Sequence, residues 1–162
     1  MLSVGCMDNE STDGESQQPA RAAPSADSRN TAGDAKLAAR KQPPPGVAVK
    51  TADSQFGPVL FSGSDRAVYY FDREGGKTPE CYGDCAQAWP PVLTKGKPKA
   101  RGVVKQGLLG TVKRSNGERQ VTYDGHPLYF YVDDPKGEVE CHNIFEFDGL
   151  WLAVLPSGGT PA

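Results

Sequence analysis

The sequence predicts a mainly β fold: a single compact antiparallel β domain of two related halves with one short helix, preceded by a disordered tether. Three observations predict it. All Phe, Trp and Tyr residues of the 162-residue chain lie between Phe56 and Trp151, so the side chains that bury most area begin only there. Short aromatic and β-branched runs alternate with turn signals such as Asn116-Gly117 and Asp124-Gly125, which favour hairpins. A pattern of aromatic residues, cysteine and tryptophan also occurs twice.

The strands are expected where apolar residues alternate with polar ones or form short runs between turn signals. From Gly110 to Val132 the chain should form a three-strand meander. The expected helix of the domain is Cys81–Trp89, which Pro90-Pro91 would end because proline cannot continue a helix. The expected strands are residues 47–52, 57–61, 66–71, 108–113, 120–123, 127–132 and 150–155.

The chain before residue 46 has a different composition. Residues 7–45 are rich in Ser, Ala, Gly, Pro, Asp, Asn and Gln, and they end in three consecutive prolines. Low hydrophobicity with mixed charge predicts disorder. The expected organisation is therefore a disordered tether at 7–45, a β domain at 46–157 with halves at about 46–106 and 107–157, and a flexible tail at 158–162.

The first six residues contain a possible lipidation motif. Ser3-Val4-Gly5-Cys6 resembles a bacterial lipobox, in which the peptide is cut before the cysteine and the new terminus is acylated. Residues 1–6 would then be a remnant of a lipoprotein signal, and Cys6 would carry the lipid anchor. A signal peptide needs an apolar stretch of about 7–15 residues, so this interpretation expects an in-frame start further upstream. The alternative is a chance match.

The two halves are related by an internal repeat. Tyr69-Tyr70-Phe71 is followed by Cys81, and Tyr129-Phe130-Tyr131 is followed at the same separation by Cys141. With a two-residue insertion, Trp89-Pro90 corresponds to Trp151-Leu152. Each copy should begin with a hairpin, and only the first copy has a second cysteine, Cys85. Two copies are too few for a solenoid, so they predict one domain with a pseudo-twofold axis.

These motifs resemble the bacterial "secreted repeat of unknown function" lipoprotein family, whose members carry a Y-x-[FWY]-x-x-D motif. The matching residues are Tyr129, Tyr131 and Asp134, and more loosely Tyr69, Phe71 and Asp72. Residues 81–91 resemble the family signature C-x-G-x-C-A-x-x-W-P-P, which includes Trp89 and Pro90, and Gly149-Leu150-Trp151 continues the match. The resemblance covers about residues 47–156. It implies an exported, often lipid-anchored module without an established biochemical activity.

The cysteines allow two interpretations. Cys81 and Cys85 come within disulfide reach in a helix or turn, and such a bridge would stabilise the domain by roughly 2 kcal/mol. Alternatively, Cys81, Cys85, Cys141 and His142 offer ligand types suited to zinc or copper. Adjacent Cys and His seldom reach one tetrahedral ion together, so the disulfide is favoured. Cys141 is then the odd thiol, either a buried core residue or an alternative disulfide partner.

The remaining polar residues suggest no enzyme. No G-x-S-x-G motif accompanies His126, which should be a half-exposed turn residue. Asp133-Asp134 lacks calcium-loop spacing, and Lys95, Lys97, Lys99 and Arg101 form a basic loop expected to be solvated. The net charge of −2 disfavours nucleic acid or an acidic lipid surface as the main partner.

The sequence thus predicts a non-enzymatic, lipid-anchored binding or structural module of the bacterial cell envelope, facing outside the cytoplasm, with no cofactor. Its expected partners are the membrane, through the anchor, and an envelope protein or polymer, met by whichever aromatic residues point outward. The alternative function is a metal-binding or redox carrier that uses the Cys/His group.

Overall fold

The computed structural model describes residues 46–75 and 77–162. The expected tether and Cys6 lie outside the described residues. The chain divides between Gln42 and Pro43, and the second unit contains all the residues described. Its fold is mainly β, as the sequence predicted. The nine strands of the described part are β1 (Ala48–Ser54), β2 (Gly57–Ser62), β3 (Tyr69–Phe71), β4 (Lys99–Ala100), β5 (Leu109–Lys113), β6 (Arg119–Tyr123), β7 (His126–Pro127), β8 (Ile144–Glu146) and β9 (Gly149–Ala153).

The first sheet has the strand order β2-β1-β4. β1 and β2 form an antiparallel hairpin in which Thr51 lies opposite Leu60, and Gly57 adopts a φ of +81° after the turn. β4 runs parallel to β1. The sequence did not predict β4, because its two residues lie in a Lys-, Gly- and Pro-rich loop without an apolar pattern.

The second sheet, β3-β9-β8, joins the two halves of the domain. β3 from the first half pairs antiparallel with β9 from the second, so that Phe71 lies opposite Trp151. β8 and β9 form a hairpin whose turn residues, Phe147 and Asp148, both have positive φ values (54° and 63°). β8 was not predicted, because three residues without a flanking Gly or Pro cluster give a weak strand signal.

The third sheet is the expected meander, β5-β6-β7. Asp124 and Gly125 form the tight turn between β6 and β7 with φ values of 50° and 84°. The strand expected at 127–132 ends at Pro127, since the backbone beyond it pairs elsewhere. Tyr129 makes isolated bridges to Tyr69 and to Pro91, which draws this segment into the centre of the domain.

The expected helix is present but shorter. α1 spans Asp84–Ala88, preceded by Gly83 at a φ of +58° and ended at Trp89, before the two prolines. Two 3₁₀ turns, Asp72–Glu74 and Gln106–Leu108, complete the helical structure of the described residues. Of the expected tail, Gly158 is buried, and the amide of Leu155 donates to the carbonyl of Gly159 at 2.8 Å.

The core contains an aliphatic cluster and an aromatic centre. The aliphatic cluster draws on both halves and includes Val49, Leu60, Val68, Val121 and Leu128. The aromatic centre contains both tryptophans, each with no exposed surface. Because burial of such side chains drives folding, the two halves share one core.

Candidate functional site

Two tyrosines meet at the junction of the halves. Tyr69 of the first copy and Tyr129 of the second form an antiparallel bridge: the amide of Tyr69 donates to the carbonyl of Tyr129 at 2.9 Å, and the reverse bond measures 2.8 Å. Both side chains have no exposed surface. A buried phenol needs a hydrogen-bond partner, so each hydroxyl must find an acceptor inside the protein.

Each tyrosine finds that acceptor in the other copy. The hydroxyl of Tyr69 donates to Oδ2 of Asp134 at 2.5 Å. The hydroxyl of Tyr129 donates to Oε1 of Glu74 at 2.6 Å. Glu74 stands in the first copy at the position that Asp134 occupies in the second, five residues after the tyrosine. The two bonds are therefore reciprocal, and each crosses from one copy to the other.

Backbone amides complete the first of these carboxylate sites. Oε1 of Glu74 also accepts hydrogen bonds from the amides of Glu80 and Cys81, at 2.7 and 3.2 Å. In the second copy the amide of Cys141, which corresponds to Cys81, donates to the hydroxyl of Tyr69 at 3.5 Å. Each tyrosine–carboxyl pair thus also fixes the loop that carries a cysteine.

Burial changes the acidity of all four groups. It raises the pKa of both tyrosines, and the adjacent carboxylates add to the effect, so the hydroxyls stay protonated and act as donors. Burial likewise raises the pKa of Glu74, against the hydrogen bond from Tyr129. For Asp134, burial raises the pKa to about 6, with the bond from Tyr69 opposing and the charge of Glu140 reinforcing the rise.

The sign of the resulting pH effect follows from linkage. A carboxyl whose pKa is higher in the folded state binds protons more tightly there than in the unfolded chain. The stabilisation that Asp134 provides is complete below its ordinary pKa of 3.8 and is lost as the pH rises through about 6. Its Oδ1 atom is buried without a hydrogen-bond partner among the described residues, which favours the protonated form.

The aromatic rings show the same reciprocity. Trp89 and Trp151 stack on each other with centroids 4.0 Å apart and planes 4° from parallel. Tyr69 meets Trp89 edge-on at 5.4 Å, and Tyr129 meets Trp151 edge-on at 5.3 Å. Such stacked and edge-on pairs stabilise a core beyond their burial alone.

Two further rings extend this arrangement across the copies. Phe71 of the first copy stacks on Trp151 at 4.3 Å. Its counterpart Tyr131 lies 4.8 Å from Trp89, tilted by 49°. The pseudo-twofold relation expected from the repeat is thus present in the contacts of the core.

This geometry changes the assignment of the first motif copy. Asp72 was expected to match the motif acid, but the counterpart of Asp134 is Glu74. Asp72 instead accepts a hydrogen bond from the amide of Leu150 at 2.8 Å, near the surface. The signal for Glu74 was its spacing from Tyr69, which equals that of Asp134 from Tyr129.

Arg114 was not among the predicted site residues, because a single arginine beside Lys113 gives no sequence signal of burial. It is 3% exposed, and its guanidinium donates to the carbonyl of Cys81 at 2.5 Å and to Oε1 of Gln120 at 2.6 Å. The same group lies 4.3 Å from the ring centre of Tyr82. Arg114 therefore holds the loop that contains the first cysteine.

Cys81 and Cys85 form the predicted disulfide, with Cα atoms 5.3 Å apart. Both sulfurs are thus unavailable as metal-binding thiolates. Cys141 is buried. Nδ1 of His142 accepts a hydrogen bond from the amide of Ala153 at 3.1 Å, and burial lowers the pKa of this imidazole. The described part of the chain holds no group of three or more His, Cys, Asp or Glu side chains placed to bind a metal, so the alternative Cys/His centre does not assemble.

The other candidate residues lie apart from this centre. His126 is half-buried, and its ring stacks on the ring of Tyr70 with centroids 4.4 Å apart. Asp133 is exposed. The aromatic bands at 69–71 and 129–131 face mainly inward. The described aromatic residues that are most exposed are Tyr82, Phe145 and Phe147, two of them on the β8–β9 hairpin.

The fold and its centre define a two-copy β repeat domain in which each copy completes the buried polar contacts of the other. The model of the family described as "secreted repeat of unknown function" matches the chain twice, over residues 50–93 and 110–154. Together these matches cover more than half of the chain, and the protein belongs to this family. No curated protein and no solved structure matches it. Within the described residues, no helix has the length and apolarity needed to cross a bilayer.

Proposed function

We propose that this protein is a lipid-anchored module of the bacterial cell envelope that acts by binding or by its structural presence, and not by catalysis. Cys6 carries the lipid, and residues 7–45 link it to the β domain. The family of secreted repeats supports a location outside the cytoplasm. The Ser3-Val4-Gly5-Cys6 motif supports the anchor.

The observation that carries the proposal is the burial of the family motif. Tyr69, Tyr129 and the two tryptophans have no exposed surface, and Glu74 is 1% exposed. A catalytic acid or base must come within hydrogen-bond reach of a substrate. These groups instead bond to one another, so their role is to hold the two copies together. Contacts with partners then come from the remaining surface.

Lipid attachment is tested by metabolic labelling with an alkyne-tagged fatty acid in a bacterial host, with the gene expressed together with its upstream DNA. We expect the wild-type protein to incorporate the label and to fractionate with membranes. Cys6→Ser should lose the label and become soluble. Stable attachment requires a second membrane-binding signal besides one acyl chain, because one chain alone gives only marginal, reversible binding.

Cys141→Ser is the matched control, since it removes a cysteine and leaves the lipobox-like residues Ser3-Val4-Gly5-Cys6 unchanged. It should keep the label. An unlabelled wild-type protein would overturn the anchor, and so would peptide mass analysis that finds Cys6 joined to Cys141 in a disulfide. Upstream DNA without an in-frame basic and then apolar segment would contradict it independently.

A further inference from the structure

Charge is unevenly distributed over the domain. Residues 95–119 contain eight of the 18 Lys and Arg residues of the chain and one of its 20 Asp and Glu residues. Apart from Arg114, which is buried, these cations are exposed. The near-neutral total therefore hides a strongly basic segment. We define the basic surface as Lys97, Lys99, Arg101, Lys105, Lys113 and Arg119.

Hydrogen bonds connect the parts of the basic surface. The amide of Thr94 donates to the carbonyl of Arg119 at 2.9 Å, which places the start of the basic loop beside the β5–β6 hairpin. Gln106 fixes the other part: its side chain accepts from the amide of Ala100 at 2.8 Å and donates to the carbonyl of Pro98 at 3.0 Å. The cations are thus carried on fixed backbone.

The placement of these cations costs stability. Lys113 lies directly opposite Arg119 in the β5–β6 pairing, and like charges at such positions are destabilising. The ion pairs between described residues, Lys50–Asp65 and Arg73–Asp148, both lie outside the basic surface. Lysines at a sheet edge can prevent edge pairing, which accounts for Lys99 on β4 and Lys113 on β5 but not for the other four cations. An anionic partner would offset the repulsion.

The chemistry of the surface indicates the kind of partner. Residues 95–119 contain no aromatic side chain, whereas single-stranded nucleic acids are typically bound through stacking on aromatic rings. Four of the six cations are lysines, which act as point charges and lack the bidentate geometry of arginine. Val103, between Arg101 and Lys105, is 67% exposed. A basic patch with an exposed aliphatic residue suits the interface of an anionic bilayer.

We infer that the basic surface binds the headgroups of anionic phospholipids. This inference rests on the proposed envelope location, where an anchored domain meets a bilayer at high effective concentration. The net charge of −2 suggested that an acidic lipid surface is not a main partner. That total conceals the basic segment, because acidic residues elsewhere in the chain balance its charge. Each cation contributes about fivefold to partitioning onto such a surface.

The test uses the full chain with Cys6→Ser, so that its outcome does not depend on acylation. Sedimentation is measured with vesicles of phosphatidylcholine alone and with equimolar phosphatidylglycerol. We expect binding only to the anionic vesicles, decreasing as salt rises from about 0.01 M to about 0.15 M because the charges are screened. Lys97→Gln, Lys99→Gln and Arg101→Gln together should weaken binding by about 100-fold.

The matched control is Lys50→Gln, Arg73→Gln and Lys136→Gln, which changes the net charge equally at positions outside the basic surface. It should retain binding. Absence of binding to anionic vesicles at low salt would overturn the inference, and so would equal losses in the two triple variants. Retention on soluble polyphosphate without binding to vesicles would assign the surface to a polymer and overturn the lipid partner.

Discussion

The reciprocal hydrogen bonds can be tested by removing one hydroxyl. Tyr129→Phe keeps the ring and its edge-on contact with Trp151, so it creates no cavity. It removes one of three donors to Oε1 of Glu74 and leaves the two amides. A hydrogen bond to a charged group contributes about 1.5–3 kcal/mol, and the remaining donors favour the lower part of that range. We expect the free energy of unfolding to fall by about 2 kcal/mol.

The assay is urea unfolding followed by tryptophan fluorescence, since both tryptophans lie beside the altered contact. The slope of unfolding free energy against urea should stay unchanged, because the variant exposes no new surface. A loss of about 2 kcal/mol is a large part of the total expected for a domain of this size, about 5–15 kcal/mol.

Double-mutant cycles then ask which carboxyl each tyrosine serves. Tyr129→Phe combined with Glu74→Met should show a coupling of about 1–2 kcal/mol, because both changes remove the same bond. Tyr129→Phe combined with Asp134→Leu should be additive to within about 0.5 kcal/mol, although Tyr129 and Asp134 belong to the same motif copy. Coupling within the copy, or none across the copies, would refute the reciprocal arrangement.

Three other predictions follow from the same centre. Asp134→Asn should flatten the decrease in stability between pH 4 and pH 6.5, a decrease of at most about 3 kcal/mol for this group, measured by urea unfolding across pH. Gly149→Ala should destabilise by several kcal/mol in thermal unfolding, since a Cβ there would lie 2.4 Å from a phenylalanine ring carbon, whereas Gly107→Ala, with nothing within 4 Å, should be nearly neutral. Cys81→Ala with Cys85→Ala should cost roughly 2 kcal/mol, and an unchanged melting temperature would contradict the role of the disulfide as a staple.

Local patterns predicted the meander and the single helix, because these depend on turn residues and neighbouring strands. Asp124-Gly125 indicated its turn directly, and Pro90-Pro91 indicated the end of the helix. The pairing of β3 with β9 was not predictable, since no local feature specifies which distant strand completes a sheet. The short strands β4 and β8 were missed for the same reason. They are strands because their backbones pair with β1 and β9, and their side chains carry no strand pattern.

The sequence identified most residues of the site but not which of them contact each other. Repeat spacing pointed to Tyr69, Tyr129, Trp89 and Trp151, and all four lie in the core. A motif read along one copy, however, suggests that its tyrosine and its acid serve each other. In the fold, the tyrosine and the acid of one copy belong to different hydrogen-bonded pairs. For the same reason Glu74 was overlooked, and Asp72, the acid nearest to Tyr69 in sequence, was matched to the motif instead.

The crossing of these pairs explains why the two copies form one domain. A copy alone would carry a buried tyrosine without its acceptor and a buried carboxyl without its donor. Each unsatisfied group of this kind costs about 1–3 kcal/mol, and the stacked tryptophans would lose their partners as well. Together these losses approach the whole stability of a small domain. The two matches to the repeat family are therefore halves of one folding unit, and the motif that defines each half specifies its partner half.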